Sequence, residues 1–359
     1  MRQHELGALV QAVQTNCDIA DARHAADLSL CIYLLQMREL YRWERALTFV
    51  DTIDREALGQ WLARREALWS ALEDRPWLPL PIQGREFDAQ DVEAVNAELV
   101  AQGLVYGAVL AAAARPTCFL ARLHEVQRRD DGVRLQLCGQ ELARGLFAPP
   151  AALVGGHTIV LRRESLARWL WEKFEAFSLR QSDGPMRALV DSYGLAAPGA
   201  FVTALPRLVD DLCESLVLHE LGEHRAGQFL EPGWAAMRLA LGQRRVDLRV
   251  RAVRDHVADL EVTLPALVER GQSAALHFWF ANYEGLREQM FPGLVNGYAA
   301  WRRGDAGQVL LHAARVGAAH FRALAAQILA LHRRLGQQAA PAIERLLLAP
   351  QAVCRLPVA

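Results

Sequence analysis

A long amphipathic stretch between residues 205 and 230 restricts the possible fold of this chain more than any other part of its sequence. At about 100° per residue, its apolar side chains form one stripe of a helix. The stripe consists of Leu205, Leu208, Val209, Leu212, Leu216, Ala226 and Leu230. His219 and Glu223 fall near the middle of this stripe, and Glu220 lies at its edge. Because a buried charge without a partner is costly, these side chains need a metal ion, one another or a buried basic group.

The same helical wheel distinguishes two chemically identical glutamates. Glu214 lies about 180° away from Glu223. We therefore expect Glu223 to be buried and Glu214 to be exposed.

Composition excludes several classes of function. Hydrophobic residues make up 52% of the 359 residues, which is enough for a large core without disulfide or metal staples. The chain has 40 basic and 41 acidic residues, and this balance gives no broad field that would attract nucleic acid or anionic lipid. We expect neither nucleic acid nor a membrane as a partner, and the oligomeric state stays open.

The spacing of the cysteines and the first residues of the chain indicate a cellular compartment. The six cysteines are scattered, without a Cys-x-x-Cys pair, which favours reduced thiols in a cytosol. The first residues lack the basic start and apolar core of a signal peptide, and no apolar run reaches the roughly 18 to 20 residues of a membrane span. We therefore expect a soluble cytoplasmic protein.

Periodicity divides the chain into three regions. Residues 1–115 are predicted to be helical, with a break at 48–54, a stop at Pro76, Pro79 and Pro81, and a further helix at 88–115. Residues 116–163 are predicted to form a small antiparallel β insertion. It contains a hairpin around the turn Asp130-Asp131-Gly132 and a third strand near 157–161.

The pattern becomes helical again from residue 164 to 359, where we expect five or six helices in a C-terminal bundle. The predicted fold class is therefore mainly α: a multi-helix protein with a C-terminal helical bundle and a small antiparallel β insertion.

Several later helices also place one His or Glu in line with an apolar stripe. In carboxylate-bridged di-iron and di-manganese bundles, Glu and His side chains of facing helices project inward in this way. The sequence thus predicts an inward-facing set of metal ligands in the C-terminal bundle. The set is His219, Glu220, Glu223, His256, His277, Glu284 and His312.

Other interpretations of these residues stay open. A single His on an apolar face, such as His256 or His312, is often a core histidine bonded to a backbone carbonyl. His219, Glu220 and Glu223 could instead form a buried ion pair with an arginine. A zinc protease is excluded, because the His-Glu-x-x-His motif requires His where this chain has Glu223.

A second polar cluster lies near the N-terminus. If a helix begins near Asp18 or Asp21, either residue could be its N-cap, whereas Asp21 with His24 could instead form a one-turn metal-ligand pair. Asp21 and Glu39 would be roughly 27 Å apart on one continuous helix and could not serve one metal ion. We expect Glu39 to pair with Arg38 or Arg42. The role of Asp18, Asp21 and His24 is left open.

Three short motifs resemble the corresponding parts of an uncharacterised bacterial protein family. They are NCDIADARH at 16–24 with SLC at 29–31, MRELYRWE at 37–44, and ELARGLFAPP at 141–150. The resemblance would cover most of the chain. It implies a bacterial cytosolic protein and supplies no activity.

From the residues we predict a metal-dependent enzyme that acts on a small molecule. Iron or manganese would be held by His and carboxylate side chains inside the helical bundle. The alternative is a non-catalytic helical scaffold that binds a partner protein and satisfies its inward charges with arginines.

Overall fold

The computed structural model describes residues 2–109, 117–147, 149–195, 197–230, 233–241 and 244–356. The chain divides into two compact units. Unit 1 comprises Met1–Gly155, Val160–Glu172 and Ala197–Pro206, and unit 2 comprises Gly156–Ile159, Lys173–Ala196 and Arg207–Ala359. Among the described residues, no helix combines the length and apolarity that crossing a bilayer requires.

Three helices begin unit 1, with the predicted break between the second and the third. They are α1 (Gln3–His24), α2 (Leu30–Glu44) and α3 (Arg55–Leu72). Asp54 caps α3, because its Oδ1 accepts a hydrogen bond of 2.8 Å from the Ala57 amide. Of the alternatives left open for Asp18 and Asp21, the structure excludes the N-cap, since α1 begins at Gln3 and both aspartates lie near its end. Asp21 and Glu39 are also on separate helices.

The polar residues near the end of α1 connect this helix to other parts of unit 1. Asp18 accepts hydrogen bonds from Arg65 Nη1 at 2.6 Å and from Trp69 Nε1 at 3.2 Å. Asp21 accepts one of 2.8 Å from the Leu146 amide. Burial raises the pKa of both carboxyl groups. These contacts give the two aspartates a structural role.

The predicted pairing of Glu39 is confirmed. Its buried carboxylate accepts a hydrogen bond of 2.8 Å from Arg38 Nε and lies 3.5 Å from Arg42 Nε. His24 lies 3.5 Å from Asp27, with both side chains largely exposed.

A five-stranded sheet with the order β3-β4-β5-β7-β6 follows the first helices, together with a two-stranded sheet, β1-β2. The strands are β1 (Leu80–Ile82), β2 (Arg85–Phe87), β3 (Leu104–Val109), β4 (Thr117–Arg128), β5 (Arg134–Arg144), β6 (Ala151–Val154) and β7 (Thr158–Arg162). The predicted hairpin is confirmed, since β4 and β5 pair antiparallel. Asp131 and Gly132 make the turn with φ of 61° and 74°.

The predicted helix at 88–115 is largely wrong. Only α4 (Val92–Leu99) forms there, and β3 begins at Leu104; residues 110–116 lie outside the described part of the chain. Val105 and Tyr106 have high strand propensity, and Gly103, with φ of 72°, ends the helical segment before them. The short β1-β2 pair was not predicted either.

The five-stranded sheet shares a core with the first helix. Leu9, Val13 and Cys17 of α1 pack in one buried cluster with Tyr106 and Leu120 of the sheet. Apart from residues 156–159, the strand region therefore belongs to unit 1, and it is larger than the predicted insertion.

After β7, every described element is helical, as expected, but the helices are shorter and more numerous. The eleven helices of this described part are α5 (Arg163–Arg180), α6 (Pro185–Ser192), α7 (Pro198–Leu230), α8 (Gly233–Leu241), α9 (Arg244–Ala258), α10 (Leu264–Glu269), α11 (Ser273–Ala281), α12 (Leu286–Met290), α13 (Leu294–Arg302), α14 (Gln308–Leu335) and α15 (Ala340–Leu348). The prediction of five or six helices was too low, because Gly and Pro end many of them after two or three turns.

A π-turn at Asp259–Thr263 joins α9 to α10 in unit 2. Pro265 has no amide hydrogen, and its ring would collide with the carbonyl of Glu261 in a regular α-helix. The wider turn relieves this conflict, and such turns are frequent at functional sites.

Candidate metal site

Helices α7 and α9 of unit 2 approach each other closely at a glycine. A Cβ atom on Gly222 would lie 2.5 Å from the carbonyl oxygen of Ala258, so no larger residue fits there without movement. His219 and Glu223 lie three residues before and one after Gly222; Asp255 and Asp259 lie three before and one after Ala258. The two residues of each pair are four positions apart and therefore lie on the same side of their helix, so the close contact brings the four side chains together.

Three of these side chains form a possible metal-binding group. His219, Glu223 and Asp255 each offer a ligand atom, and these atoms all lie within 4.8 Å of one another. His219 and Glu223 keep 25% and 22% of their side-chain surface exposed, so the group is in contact with solvent. The structure thus brings together two of the seven predicted ligands and adds Asp255.

Asp259 orients the imidazole of His219. The Nδ1–H of His219 donates a hydrogen bond of 2.9 Å to Asp259 Oδ1. Asp259 Oδ2 forms an ion pair with Arg287 Nη2. The guanidinium of Arg287 also lies 5.2 Å from the ring centre of Trp279 and 5.4 Å from that of Tyr283. With Nδ1 engaged, Nε2 is the atom of His219 left to act as a ligand.

The charges of this cluster shift the pKa values of its members. Burial alone would lower the pKa of His219, but the charge and hydrogen bond of Asp259, with Glu220 and Glu223, raise it to about 10. Burial raises the pKa of Asp255 to about 6, against the opposing charge of His219. Asp259 is also desolvated, yet His219 and Arg287 hold the pKa of this carboxyl well below its usual range.

Carboxylates outnumber guanidinium groups around His219. Glu223 comes from α7, Asp255 from α9 and Asp259 from the π-turn, whereas the arginines paired with this group are Arg254 and Arg287. One negative charge remains after these arginines are counted. A proton on His219 balances it, and a metal cation in place of that proton would balance it as well.

His256 is a core histidine, as in the alternative interpretation of its position. Its Nδ1–H donates to the Ala252 carbonyl at 2.6 Å, and its Nε2 lies 3.3 Å from the hydroxyl of Tyr283. The ring stacks on Phe321 with 4.1 Å between centroids. Burial, together with the charge of Arg287, lowers the pKa of His256 to about 3 and keeps the ring neutral.

The remaining predicted ligands have other surroundings. His277 is partly buried, and its Nδ1 lies 2.7 Å from the hydroxyl of Tyr298. Glu284 is 70% exposed and pairs with Lys173 at 2.8 Å. His312 is exposed on α14. The expected inward orientation of Glu284 and His312 is therefore wrong.

The expected contrast between Glu214 and Glu223 is also wrong. Glu214 is 16% exposed and pairs with Arg270 at 2.7 Å, whereas Glu223 is 22% exposed. The reason is that α7 packs on more than one face: Val217, Leu218 and Leu221, which lie off the predicted stripe, are buried. Glu220 is also buried, next to His219 in sequence.

The two missed residues, Asp255 and Asp259, lie in an arginine-rich stretch, RRVDLRVRAVRDHVAD, whose charges resemble those of a solvated helix face. Their four-residue spacing was the available signal. It indicates a shared helix face, but it does not identify α7 as the facing helix.

Comparisons with known proteins identify the family. None of the curated proteins and none of the solved structures matches the chain. Residues 8–162 match the N-terminal domain model, and residues 167–350 the C-terminal domain model, of the family of unknown function DUF6866. Because the two models together span most of the sequence, the chain belongs to the DUF6866 family.

Proposed function

We propose that this protein is a metal-dependent enzyme whose ion is held in unit 2 by His219 Nε2 and the carboxylates of Glu223 and Asp255. The observation that carries the proposal is that one possible ligand atom from each of these three residues lies within 4.8 Å of the others. Two ligands on one ion at roughly 2.1 Å each are at most about 4.2 Å apart. Three such ligands spread evenly around one ion are about 3.6 Å apart, so side-chain shifts of up to roughly 0.7 Å would close the group around an ion.

The surroundings of His219 support this assignment. Metal-ligating histidines commonly donate their second ring N–H to a carboxylate, and His219 makes this bond to Asp259. The excess of carboxylates over guanidinium groups also favours a cation. A structural ion pair alone would not need a third carboxylate beside Glu223 and Asp259.

The donor set favours iron or manganese. One imidazole nitrogen and two carboxylate oxygens suit these divalent ions, whereas structural zinc sites use mainly thiolate and imidazole ligands. Three protein ligands leave coordination positions for water and for a substrate. An ion held in this way would act as a Lewis acid on a bound small molecule.

Elemental analysis of the purified full-length chain, combined with two matched substitutions, tests the proposal. We expect about one transition metal ion per chain, and we expect Glu223→Gln or the double change His219→Ala with Glu223→Ala to remove it. Glu214→Gln is the control, since Glu214 lies on the same helix and also pairs with an arginine. Full metal content in the double variant would refute the site.

A specific observation favours one other function, the helical scaffold. Asp259 already pairs with His219 and Arg287, and Glu223 Oε2 lies 3.6 Å from Arg254 Nη2. If these contacts were purely structural, Glu223→Gln would lower the stability of a protein that never contains metal. If the site binds metal, the same change would remove the ion with little loss of stability in the metal-free state.

A further inference from the structure

Arg254 borders the candidate metal group and is only weakly paired. Its Nη2 lies 3.6 Å from Glu223 Oε2 and donates a long hydrogen bond of 3.3 Å to the Glu223 carbonyl oxygen. Its buried Nε–H has no acceptor among the described residues. The guanidinium therefore keeps most of its capacity to donate hydrogen bonds, and 18% of the side chain is exposed.

The second arginine of the cluster is bound differently. Arg287 forms a close ion pair with Asp259 and lies on the rings of Trp279 and Tyr283. These contacts fix its guanidinium in a structural position. Arg254 is consequently the cation of this cluster that can change partner.

Metal binding would separate Arg254 from Glu223, because the ion and Arg254 compete for the same carboxylate. An ion coordinated by Glu223 takes over the negative charge that now faces Arg254. Arg254 would then carry an uncompensated positive charge beside an ion that has open coordination positions. A planar guanidinium in this situation favours bidentate binding of a carboxylate or phosphate group.

We propose that the site takes an anionic substrate whose carboxylate or phosphate group is bound jointly by the metal ion and Arg254. This inference rests on the proposed metal site. It assigns Arg254 two successive partners, Glu223 before the ion binds and the substrate anion afterwards. Metal and anion should consequently bind with positive coupling, which acts equally in both directions.

The test uses the metal-free full-length chain and measures the dissociation constant of Mn²⁺ alone, with sulfate and with acetate. Sulfate represents a phosphate group and acetate a carboxylate, so the two arms distinguish these substrate classes. We expect at least one of the anions to tighten Mn²⁺ binding by roughly 5- to 150-fold, the usual range of coupling between sites. Mn²⁺ titration followed by electron paramagnetic resonance gives the constants directly.

Three variants make the test specific. Arg254→Gln should bind Mn²⁺ at least as tightly as the unmodified chain, since a competitor for Glu223 is gone, but its affinity should no longer depend on the anion. Arg254→Lys should keep part of the coupling, because it retains the charge and loses the planar fork. Arg245→Gln, at an exposed position of the same helix, should behave like the unmodified chain.

The possible failures are distinguishable. If the chain binds no Mn²⁺ under any condition, the metal site and the anion site are both refuted. If Mn²⁺ binds with the same affinity with and without either anion, the metal site stands and the anion site is refuted. Anion coupling that persists in both Arg254 variants would also refute the role of this residue.

Discussion

Asp259 binds two cationic side chains at once, His219 through Oδ1 and Arg287 through Oδ2. Its side chain is 1% exposed, so both contacts are made away from water. In the candidate metal site it would fix the tautomer of His219 and make the imidazole a better ligand. In that site Asp259 would act as a positioning residue outside the group of His219, Glu223 and Asp255.

We expect Asp259→Asn to weaken metal binding by roughly 10- to 100-fold, the usual effect of removing such a partner. The same change should also cost roughly 2 kcal/mol of stability, because Arg287 loses its ion pair. Metal titration and thermal unfolding of the variant would measure the two effects.

Asp247→Asn provides the control. Asp247 is also buried on α9 and accepts a hydrogen bond of 2.8 Å from Arg238 Nε. This variant should lose stability and keep its metal affinity. Equal metal affinities in the two variants would contradict the role of Asp259.

Unit 1 contains its own buried charge cluster around Glu141. The carboxylate accepts hydrogen bonds from Arg162 Nε at 3.1 Å and Nη2 at 2.8 Å, and Arg144 Nη1 lies 3.6 Å away. Ser165 also donates to it. Burial would raise the pKa of Glu141, but the two guanidinium groups outweigh it and lower the pKa to about 2.

We expect Glu141→Gln to destabilise unit 1 by roughly 3–5 kcal/mol, because it leaves two buried arginines without their carboxylate. A lowered pKa contributes stability above the unfolded value and loses it as the pH falls towards the folded value. The stability difference between the two proteins should therefore be constant above pH 5 and shrink between the ordinary value of 4.5 and about 2. Hydrogen exchange in peptides from β5 would measure this difference in stability. A stability difference that does not depend on pH would contradict the ion pair.

At the scale of elements, the crossing of α7 and α9 controls the geometry of the candidate site. Gly222 and Ala258 form the contact, and a Cβ at Gly222 would also approach the Ala258 Cα to 2.9 Å. Because these are backbone atoms, they cannot move aside as a flexible side chain would. Only a separation of the two helices would make room.

We expect Gly222→Ala to cost about 1–3 kcal/mol through overpacking and to weaken metal binding, since the ligands come from both helices. Gly199→Ala is the matched control on α7, where a Cβ has nothing within 4 Å. It should be neutral or slightly stabilising. Unchanged metal affinity in Gly222→Ala would show that the spacing of these helices does not position the ligands.

The sequence predicted the positions of helices and strands better than it predicted which face of each helix is buried. The hairpin of β4 and β5 and the long helix α14 were recognisable, because alternation and helical periodicity are local signals. On α14, however, alanines occur on several faces. Ala319 and Ala323, which lie on the same face as His312, are exposed, whereas Ala313 and Gly317 are buried. Alanine fits both environments, so periodicity alone could not assign the face that carries His312.

At the scale of the whole molecule, the local nature of sequence periodicity explains which residues of the candidate site could be predicted. His219 and Glu223 were predicted because one helix contains both. Asp255 and Asp259 were missed because their relation to His219 depends on which helix packs against α7. His277 and Glu284 share a helical spacing, yet Glu284 lies beyond the end of α11, where the helix has stopped. Sequence periodicity describes one helix, whereas this candidate site takes its ligands from two, α7 and α9.

The division into two units predicts where a bound ion should have its effect. An ion that binds only the folded form stabilises it by about 2.7 kcal/mol at a concentration 100 times its dissociation constant. All three candidate ligands belong to unit 2. Added Mn²⁺ should therefore increase hydrogen-exchange protection in α9 and leave the β5 strand of unit 1 unchanged.

Glu223→Gln separates this local effect from general stabilisation by salt. In this variant, Mn²⁺ should change the protection of neither α9 nor β5, because a ligand is missing while the fold of α7 is kept. Mg²⁺, which prefers sites built from oxygen ligands and water, should give the unmodified chain a smaller gain in α9 at equal concentration. Equal gains in α9 and β5 would contradict an ion bound in unit 2 alone. A gain in α9 that survives Glu223→Gln would place the ion elsewhere in that unit.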